Sequence, residues 1–283
     1  MVKFSFIVPF YNGSRYIEAT INSILNQVFD NYELILIDDA SSGNEKNVLC
    51  DLLASINSDK ITLINNSVNL GLMSSLNTGV SHSRGEYIII LGQDDLVSPT
   101  HLDSLNQFIL SIGQCFSAIF CDAVYIAGDN KTDILVRGRR LDKFKNGYID
   151  FASLMRWNYV VSVGICIHKK SLEQVGGFDA TFISHGEWLT WLKLATSGKI
   201  YINRSILSEY RRHESNLTSS IVAKGALQKF HYDEYVNSFA LHRSNKSLFI
   251  RLTYVFNKLK NRLYFVYRKM FNKSLSHLRV IKN

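Results

Sequence analysis

Two pairs of adjacent carboxylates each follow a run of apolar residues, and their chemistry is that of a divalent-cation site. Asp94 and Asp95 come directly after YIIILGQ, and Asp38 and Asp39 come directly after YELILI. Two ionised carboxylates side by side repel each other unless a cation neutralises them. Mg²⁺ and Mn²⁺ prefer oxygen ligands and commonly bridge protein carboxylates to substrate phosphates. The pattern therefore predicts a Mn²⁺ or Mg²⁺ site that binds a nucleoside diphosphate.

The elements that position these carboxylates alternate as a parallel α/β sheet requires. Four apolar runs are typical of strands, at 4–8, 32–37, 61–64 and 87–91. Between them apolar residues recur at helical spacing, over 17–28, over 44–57 and from near Gly71 onward. The order βαβαβαβ predicts an α/β fold with a mostly parallel sheet.

Polar residues follow each of the four predicted strands, where the ligand crevice of such a sheet lies. The residues at these strand ends are Pro9, Phe10, Tyr11 and Asn12, of which the last two are polar, then Asp38 and Asp39, then Asn65, Asn66 and Asn69, and finally Gln93, Asp94 and Asp95. Any one Asp or Asn could instead be an ordinary turn or cap residue. The sequence has no GxGxxG after the first strand and no GxxxxGK[ST], which disfavours a dinucleotide dehydrogenase and a P-loop NTPase.

Basic residues are concentrated near the end of the chain. Residues 235–283 contain eleven Lys or Arg and no Asp or Glu, although the whole chain has a net charge of only +8. Within 248–270 an apolar stripe at helical spacing runs beside a line of cations. We expect 221–283 to form a basic amphipathic helical tail, with 243–283 on an anionic membrane surface. Packing of the stripe on protein is the alternative, and the apolar stripe argues against a nucleic-acid partner.

The cysteines and the first residues favour the cytoplasm. Cys50, Cys115, Cys121 and Cys166 show no CxxC pairing, as is typical of reduced thiols. The short apolar run before Pro9 predicts a strand rather than a signal peptide.

Several ordered motifs resemble family 2 inverting glycosyltransferases of the GT-A fold. The motifs are FSFIVPFYNGSRYIEATINSILNQ, YELILIDDASS, NLGLMSSLNTGVSHSRGEYIIILGQDD, VGGFDATF and GEWLTWLKL. The resemblance covers about 3–220 and implies a Rossmann-like, mostly parallel sheet flanked by helices. It also implies a nucleotide-sugar half at 1–95 and an acceptor half at 96–220.

The resemblance implies roles for the residues at the strand ends. Pro9, Tyr11 and Asp38 would contact the base and ribose of a nucleotide sugar. Asp39, Asn69, Gln93 and Asp95 would lie nearby on the same donor. Asp94 would be the metal ligand, with Asp95 and His213 beside it, although a lone His such as His213 is often a surface residue. Arg211 would be a phosphate partner.

Two positions depart from the family pattern on the donor side. Gly92 replaces the first acid of the usual Asp-x-Asp-Asp, and Leu76 stands where an Arg is frequent. Another cation would then neutralise the diphosphate, and Arg84, Arg137 and Arg139 are the candidates. A solvated basic loop is the alternative reading of 137–140.

The stretch HGEWLTWLKL matches the part of the family that carries the general base. Glu187 falls on the position of the base, and Gly186 replaces the acid before it. A carboxylate in the first turn of a helix is the structural alternative, and Asp179 or His185 would be the next candidate base. Trp188 and Trp191 could stack on sugars, but at least one is expected in the core.

Together these features predict a cytoplasmic, peripheral membrane glycosyltransferase. It would transfer a hexose-type sugar, most simply from a UDP-sugar, to a lipid-linked saccharide in surface polysaccharide synthesis. The alternative is a catalytically degenerate nucleotide-sugar-binding or scaffold subunit, which Gly92, Leu76 and Gly186 would suit. Retention of Asp38, Asp94 and Glu187 together argues for the enzyme.

Overall fold

A computed structural model describes residues 2–113, 116–127, 130–136, 141–144, 147–181 and 186–213. The strands are β1 (Phe4–Phe10), β2 (Tyr32–Asp38), β3 (Ile61–Asn65), β4 (Tyr87–Ile90), β5 (Leu96–Val97), β6 (Phe116–Ala127), β7 (Asn130–Leu135), β8 (Tyr148–Ile149), β9 (Ile165–His168) and β10 (Lys199–Arg212). The helices are α1 (Ser14–Leu25), α2 (Gly43–Ile56), α3 (Leu72–His82), α4 (His101–Ile112), α5 (Phe151–Arg156), α6 (Lys169–Gln174) and α7 (Gly186–Ser197). The described residues other than Met155–Trp157 belong to one compact unit. The predicted tail at 221–283 lies outside the described residues.

The strands form one mixed sheet in the order β3-β2-β1-β4-β9-β6-β10-β5, with β7 beside β6 and β8 beside β10. β1 is parallel to β2 and β4, and β2 is parallel to β3. The antiparallel strand β9 joins β4 to β6, and β6 is parallel to β10. Consequently β1, β2, β3, β4, β6 and β10 point the same way. The end of the sheet at which they finish is named here the carboxyl end.

The central strands are apolar because both of their faces are covered. Every residue of β2 and β4 is buried, as expected for parallel strands with helices on both sides. Helix α1 buries Ile17, Ile21 and Ile24 against the sheet at helical spacing. In α3, a Cβ on Gly79 would lie 2.4 Å from Ile7 Cγ2, so only glycine lets the helix approach β1 this closely.

The first four predicted strands and three predicted helices are confirmed. The α/β fold class with a mostly parallel sheet flanked by helices is confirmed as well. The predicted end of α1 is wrong, because the helix stops at Leu25 and Val28 is 65% exposed. The Val28 N–H leaves the helical pattern to donate to the Pro99 carbonyl at 2.9 Å. In the described residues, no helix combines the length and apolarity needed to cross a bilayer.

A buried polar network lies at the opposite, amino end of the sheet. Glu33 on β2 accepts hydrogen bonds from the Ser5 hydroxyl at 2.7 Å and from the Arg84 N–H and Nε at 2.6 and 2.7 Å. These hydrogen bonds and the Arg84 charge outweigh burial and hold the pKa of Glu33 below its usual value. The suggestion that Arg84 neutralises a diphosphate is therefore wrong, because the guanidinium is tied to Glu33, away from the carboxyl end.

Candidate active site

The ends of β1 and β2 bring Tyr11 and Asp38 together. Phe10 is in register with Asp38, and the Asp39 N–H donates to the Phe10 carbonyl at 2.8 Å. β1 pairs with β4 only as far as Ile7. Pro9 lies beyond this point, so its lack of an N–H removes no hydrogen bond between the two strands. Tyr11 follows with 49% of its surface exposed. The carboxyl end thus carries an exposed Tyr11 ring and a buried Asp38 carboxylate on two adjacent strands.

The loops after β1 and β2 are fastened to each other through Asn12, which has a φ of 48°. Its N–H donates to the Ser41 hydroxyl at 3.0 Å, and its side-chain oxygen accepts from the Ser42 N–H at 2.9 Å. The Ser14 N–H at the start of α1 donates to a Glu45 carboxylate oxygen at 2.9 Å. These contacts fix the backbone of the two segments that carry Tyr11 and Asp38.

Asp38 is fully buried, and only one of its oxygens is hydrogen bonded. Oδ1 accepts the Ser41 N–H at 3.0 Å, whereas Oδ2 has no hydrogen-bond partner. Lys46 Nζ lies 3.8 Å from Oδ2, beyond hydrogen-bonding distance. A buried carboxylate oxygen without a donor is unfavourable unless a ligand completes it.

Asp39 uses both oxygens to organise the loop that leads into α3. Oδ1 accepts from Asn66 Nδ2 and from the Leu70 N–H, each at 2.8 Å, and Oδ2 accepts from the Gly71 N–H at 2.8 Å. The backbone N–H groups that precede a helix need such acceptors. Asn69 is exposed on the same loop. These contacts describe Asp39 as a residue that positions the loop carrying Asn69.

Gln93 bridges the segment after β4 to the segment after β1. Its Oε1 accepts the Tyr11 N–H at 2.9 Å, and its Nε2 donates to the Tyr11 carbonyl at 3.3 Å. Its amide leaves no room for a side chain at Gly13, where a Cβ would lie 2.2 Å from Gln93 Cδ. Gln93 therefore supports the backbone of Tyr11.

Helix α1 holds the acidic segment from the other side. The Thr20 hydroxyl lies 2.9 and 3.0 Å from the carbonyls of Gln93 and Asp95 and is shared between them. Gln27 Nε2 donates to the Ser98 carbonyl at 2.7 Å. The two adjacent carboxylates are thus carried by a segment whose backbone is fixed by α1.

Asp94 and Asp95 point to different partners near the end of β10. Asp94 Oδ2 is 2.7 Å from His213 Nε2, and the Asp94 carbonyl accepts from Arg211 Nε at 2.8 Å. Asp95 is buried, and its Oδ1 accepts the Arg211 N–H at 2.9 Å. The three predicted metal residues therefore come together although His213 is far from both aspartates in sequence.

The carboxylates approach each other over Gly92. A Cβ at Gly92 would lie 2.7 Å from Asp95 Oδ2 and 2.9 Å from Asp94 Oδ1. Any side chain at this position would therefore occupy the space between the two oxygens. Glycine at position 92 therefore lets the two carboxylates lie close to the backbone that precedes them.

The donor set of Asp94, Asp95 and His213 fits Mn²⁺ or Mg²⁺ as a partial site. Carboxylate oxygens and imidazole nitrogen are suitable ligands, and such ions complete their shell with substrate phosphates and water. In the part of the chain that the structure describes, no group of three or more His, Cys, Asp or Glu side chains is arranged to hold a metal ion, so these three residues would need further ligands from the substrate. The arrangement suits a cation that arrives with a diphosphate.

Burial and the neighbouring Asp94 charge raise the pKa of Asp95 well above its usual value. The Arg211 N–H and guanidinium oppose this shift, and the Glu187 charge adds to it. A divalent cation would relieve this concentration of negative charge.

Tyr16 on α1 is a residue of the site that sequence reasoning missed. Its ring lies 5.0 Å from the His213 ring, centroid to centroid, and the Arg211 and Arg15 guanidinium carbons lie 4.7 and 4.9 Å from it. An aromatic ring attracts guanidinium groups through its quadrupole. The only signal was its place in the motif GSRYIEA, which does not distinguish a core aromatic from a site aromatic.

Glu187 lies in the first turn of α7, where a carboxylate is favoured by the helix dipole. Its Oε2 accepts a hydrogen bond from the Ser162 hydroxyl at 2.8 Å. The neighbouring Gly186 has no space for a side chain, because a Cβ there would lie 2.6 Å from the Asp179 carbonyl and 2.8 Å from Met73 Cγ. The glycine thus lets the start of α7 sit against α3.

Asp179, the second candidate base, is already paired. Its Oδ2 accepts from Lys193 Nζ at 3.0 Å, and its Oδ1 accepts the Thr181 N–H at 3.0 Å. These hydrogen bonds and the Lys193 charge outweigh burial and hold the pKa of Asp179 below its usual value. Asp179 is therefore a weaker proton acceptor than an unpaired carboxylate. His185 lies outside the described residues.

The remaining residues that the sequence analysis singled out are either packed within the fold or outside the described residues. Trp191 is fully buried and packs edge-on to Phe178, so it belongs to the core, and Trp188 donates its indole N–H to the Leu154 carbonyl at 2.8 Å. Leu76 is buried in α3. Arg137 and Arg139 lie outside the described residues.

The chain matches the family model "Glycosyl transferase family 2" over residues 5–174. It is 24% identical over 217 residues to an uncharacterized glycosyltransferase of Rickettsia typhi, covering 76% of this chain and 66% of that protein. The chain spans between 31% and 66% of the first curated relatives that it matches.

Two solved structures share its fold. S. aureus TarS in complex with UDP superposes with a TM-score of 0.67 at 17% identity, over 89% of this chain and 68% of that one. The mannosyltransferase PcManGT from Pyrobaculum calidifontis, in complex with GDP-Man and Mn²⁺, gives 0.63 at 17% identity, over 95% and 82%. The family model covers more than half of the 283 residues, so the chain belongs to glycosyltransferase family 2, and it has the GT-A fold.

Proposed function

We propose that this enzyme transfers a hexose-type sugar, with inversion, from a UDP-linked donor to a lipid-linked saccharide. The product would enter a bacterial surface polysaccharide such as O-antigen, capsule or lipooligosaccharide. TarS binds UDP and UDP-GlcNAc, and PcManGT binds GDP-Man with Mn²⁺, which supports a nucleotide-sugar donor. The acceptor class rests on the family resemblance and on the basic predicted tail.

The donor would lie along the carboxyl end of the sheet. Its base would stack on Tyr11 and meet the free oxygen of Asp38, and Pro9 would border the ribose. Asn69, on the loop that Asp39 fastens, would face the same nucleotide. Gln93 would act through the Tyr11 backbone that it holds.

Asp94, Asp95 and His213 would hold Mn²⁺ or Mg²⁺ against the diphosphate. A bound divalent cation neutralises the negative charge that develops on a departing nucleoside diphosphate. Arg211 keeps both aspartates in place through its backbone N–H and its Nε. Tyr16 supports the Arg211 and His213 side chains.

Glu187 would act as the general base. It would take the proton of the acceptor hydroxyl as that oxygen bonds to the sugar C1 and the bond from C1 to the diphosphate breaks. The Ser162 hydroxyl would orient the carboxylate through its hydrogen bond to Oε2. The observation that supports this role most directly is the position of Glu187 in the first turn of α7, where the Ser162 hydroxyl holds its carboxylate at 2.8 Å.

The test is Glu187→Gln, which keeps the shape of the side chain and an acceptor for Ser162 but cannot take a proton. We expect kcat to fall by roughly 10² to 10⁴, the usual contribution of a general base. Affinity for the nucleotide sugar should change little, because Glu187 is not among the residues proposed to contact the nucleotide or the metal. Glu173→Gln on the surface of α6 is the matched control and should leave both quantities unchanged.

Transfer of sugar by the purified protein, measured with a panel of nucleotide sugars and Mn²⁺, separates an enzyme from a scaffold. Retained nucleotide-sugar binding without transfer by the wild type would favour the degenerate scaffold. Near-normal transfer by Glu187→Gln would remove Glu187 from the mechanism.

We further propose that the enzyme is cytoplasmic and peripheral, bound to the inner face of the cytoplasmic membrane through 243–283. The charge count supports this: the eleven cations of 235–283 have no acidic counterpart in that stretch. Deletion of 243–283 should release the protein from anionic liposomes, and salt should weaken binding by the full chain. Binding that ignores salt and lipid charge would indicate a protein partner.

A further inference from the structure

Lys46 is a cation at the donor end of the sheet to which the mechanism above gives no role. It is the fourth residue of α2, and its N–H donates to the Ser42 carbonyl in the first helical hydrogen bond. A cation near the amino end of a helix is unfavourable, because the helix dipole is positive there. Helix stability therefore does not explain a lysine at this position.

The contact between Lys46 and Asp38 does not satisfy either group. Lys46 Nζ is 3.8 Å from Asp38 Oδ2, which is longer than a hydrogen bond, and the Lys46 side chain is 42% exposed. Exposure of Lys46 lets water screen its attraction to Asp38, although Asp38 itself is buried. Asp38 Oδ2 remains a buried acceptor without a donor. A carboxylate oxygen and an ammonium group thus stand side by side, each with hydrogen-bonding capacity left.

The surroundings limit what a ligand can present to this pair. Asp38 Oδ1 is occupied by the Ser41 N–H, so Oδ2 is the oxygen left for a ligand N–H, which must displace groups that now bury Asp38 in order to reach it. Tyr11, in the segment next to Asp38, offers an exposed ring on which a planar group can stack. A planar group with an N–H next to a carbonyl matches all three side chains.

We propose that Lys46 is a specificity-determining residue that, together with Asp38, selects uracil over cytosine in the donor nucleotide. Uracil presents N3–H, which Asp38 Oδ2 can accept, next to the C4 carbonyl, to which Lys46 can donate. Cytosine in the same position reverses both groups, with a lone pair at N3 and an amino group at C4. Its lone pair would face the carboxylate and its amino group would face the ammonium.

This inference rests on the proposed function, since it assumes that a nucleoside diphosphate binds at this end of the sheet. The experiment measures Kd for UDP and for CDP by calorimetry in Mn²⁺, using the full chain. UDP and CDP differ only at the base edge in question, so their ratio isolates it. The variants are Lys46→Met and Lys46→Arg, with Lys60→Met as the control. Lys60 also pairs with an aspartate, Asp30, but precedes β3 at the amino end of the sheet.

We expect the wild type to prefer UDP and Lys46→Met to bind UDP roughly tenfold more weakly. This is the change that loss of one charge-assisted hydrogen bond supports. CDP affinity should stay the same or improve, because a repelling ammonium is gone. Lys46→Arg should retain most of the preference, and Lys60→Met should retain all of it.

Equal weakening of UDP and CDP by Lys46→Met, with a lower Tm, would mean that Lys46 merely neutralises Asp38 and would overturn the inference. Equal affinity of the wild type for both nucleotides would also overturn it, while leaving a nucleotide-sugar donor intact. Binding of no nucleoside diphosphate at all would overturn the inference and the proposed function together.

Discussion

Replacing Asn77 by alanine would remove an amide that joins α3 to the turn before α7. Asn77 Nδ2 donates to the Phe178 carbonyl, and Oδ1 accepts the Phe178 N–H, both at 2.8 Å. The partners are 101 residues apart, so no local element replaces the contact. The same turn carries Asp179, whose carbonyl abuts Gly186 beside the candidate base.

The expected loss of stability follows from what Asn77→Ala leaves behind. Each neutral hydrogen bond contributes about 1 kcal/mol net, and each buried group left without a partner costs about 1 to 3 kcal/mol. Phe178 is only 2% exposed, so water reaches its vacated N–H and carbonyl poorly. We expect the free energy of unfolding to fall by about 2 to 4 kcal/mol, which corresponds to roughly 2 to 4 °C in Tm per kcal/mol.

Denaturant unfolding of the wild type, Asn77→Ala and Asn77→Asp measures this effect. Asn77→Asp keeps the acceptor for the Phe178 N–H but sets a carboxylate oxygen against the Phe178 carbonyl, so it should destabilise at least as much as alanine. Gln107→Ala is the control, because it removes an exposed amide bonded to Asp103 and should cost less than about 0.5 kcal/mol. In active protein, Asn77→Ala should lower kcat more than donor affinity. Stability within about 0.5 kcal/mol of wild type would refute the reasoning.

Asp94→Asn should lower turnover by roughly 10² or more with the fold intact, because the site loses a charged ligand while the side chain keeps its contact with His213. Transfer that persists in EDTA and in this variant would exclude the cation. The raised pKa of Asp95 means that the folded protein holds this proton more tightly than the unfolded chain, so stability without metal should fall as pH rises from about 4 through that raised pKa. Asp95→Asn should remove this part of the pH dependence and raise Tm at pH 8 while abolishing transfer, and Mn²⁺ should stabilise the wild type there. A wild type whose metal-free Tm does not differ from that of Asp95→Asn between pH 5 and 8 would contradict this assignment.

Strands β1 to β4 could be predicted to within a few residues because most of them are buried on both faces and appear as continuous apolar runs. Their common carboxyl end followed from the βαβ order alone. The extent of α1 was less certain, since Val28 fits the helical spacing but lies beyond the helix end.

The two carboxylate pairs were found, but the separate role of each member could not be predicted. Consecutive side chains at a strand end point in opposite directions. Asp38 thus keeps one oxygen without a hydrogen bond, whereas both oxygens of Asp39 accept hydrogen bonds from the loop before α3. Asp94 and Asp95 also have different partners, His213 and the Arg211 backbone, but they lie in the turn between β4 and β5, where strand alternation does not apply.

Contacts between distant segments were out of reach of sequence reasoning. The pairing of Asn77 with Phe178 and the approach of Tyr16 to Arg211 depend on how separate helices and strands meet. Periodicity reports which face of an element is buried but not which residue it meets. Arg84 was misjudged for the same reason, because its partner Glu33 lies 51 positions earlier in the chain.

The two ends of the sheet differ in how completely they satisfy their own polar groups. At the amino end Ser5, Glu33 and Arg84 complete one another, while at the carboxyl end Asp38 retains an unmet acceptor. A substitution of Glu33 would leave Ser5 and Arg84 without their acceptor, whereas one of Asp38 would leave the Ser41 N–H without its acceptor but also remove an oxygen that has no donor. A change of donor preference at Asp38 should therefore cost less stability than a change at Glu33, so selection on stability and selection on substrate act mainly on opposite ends of the same strands.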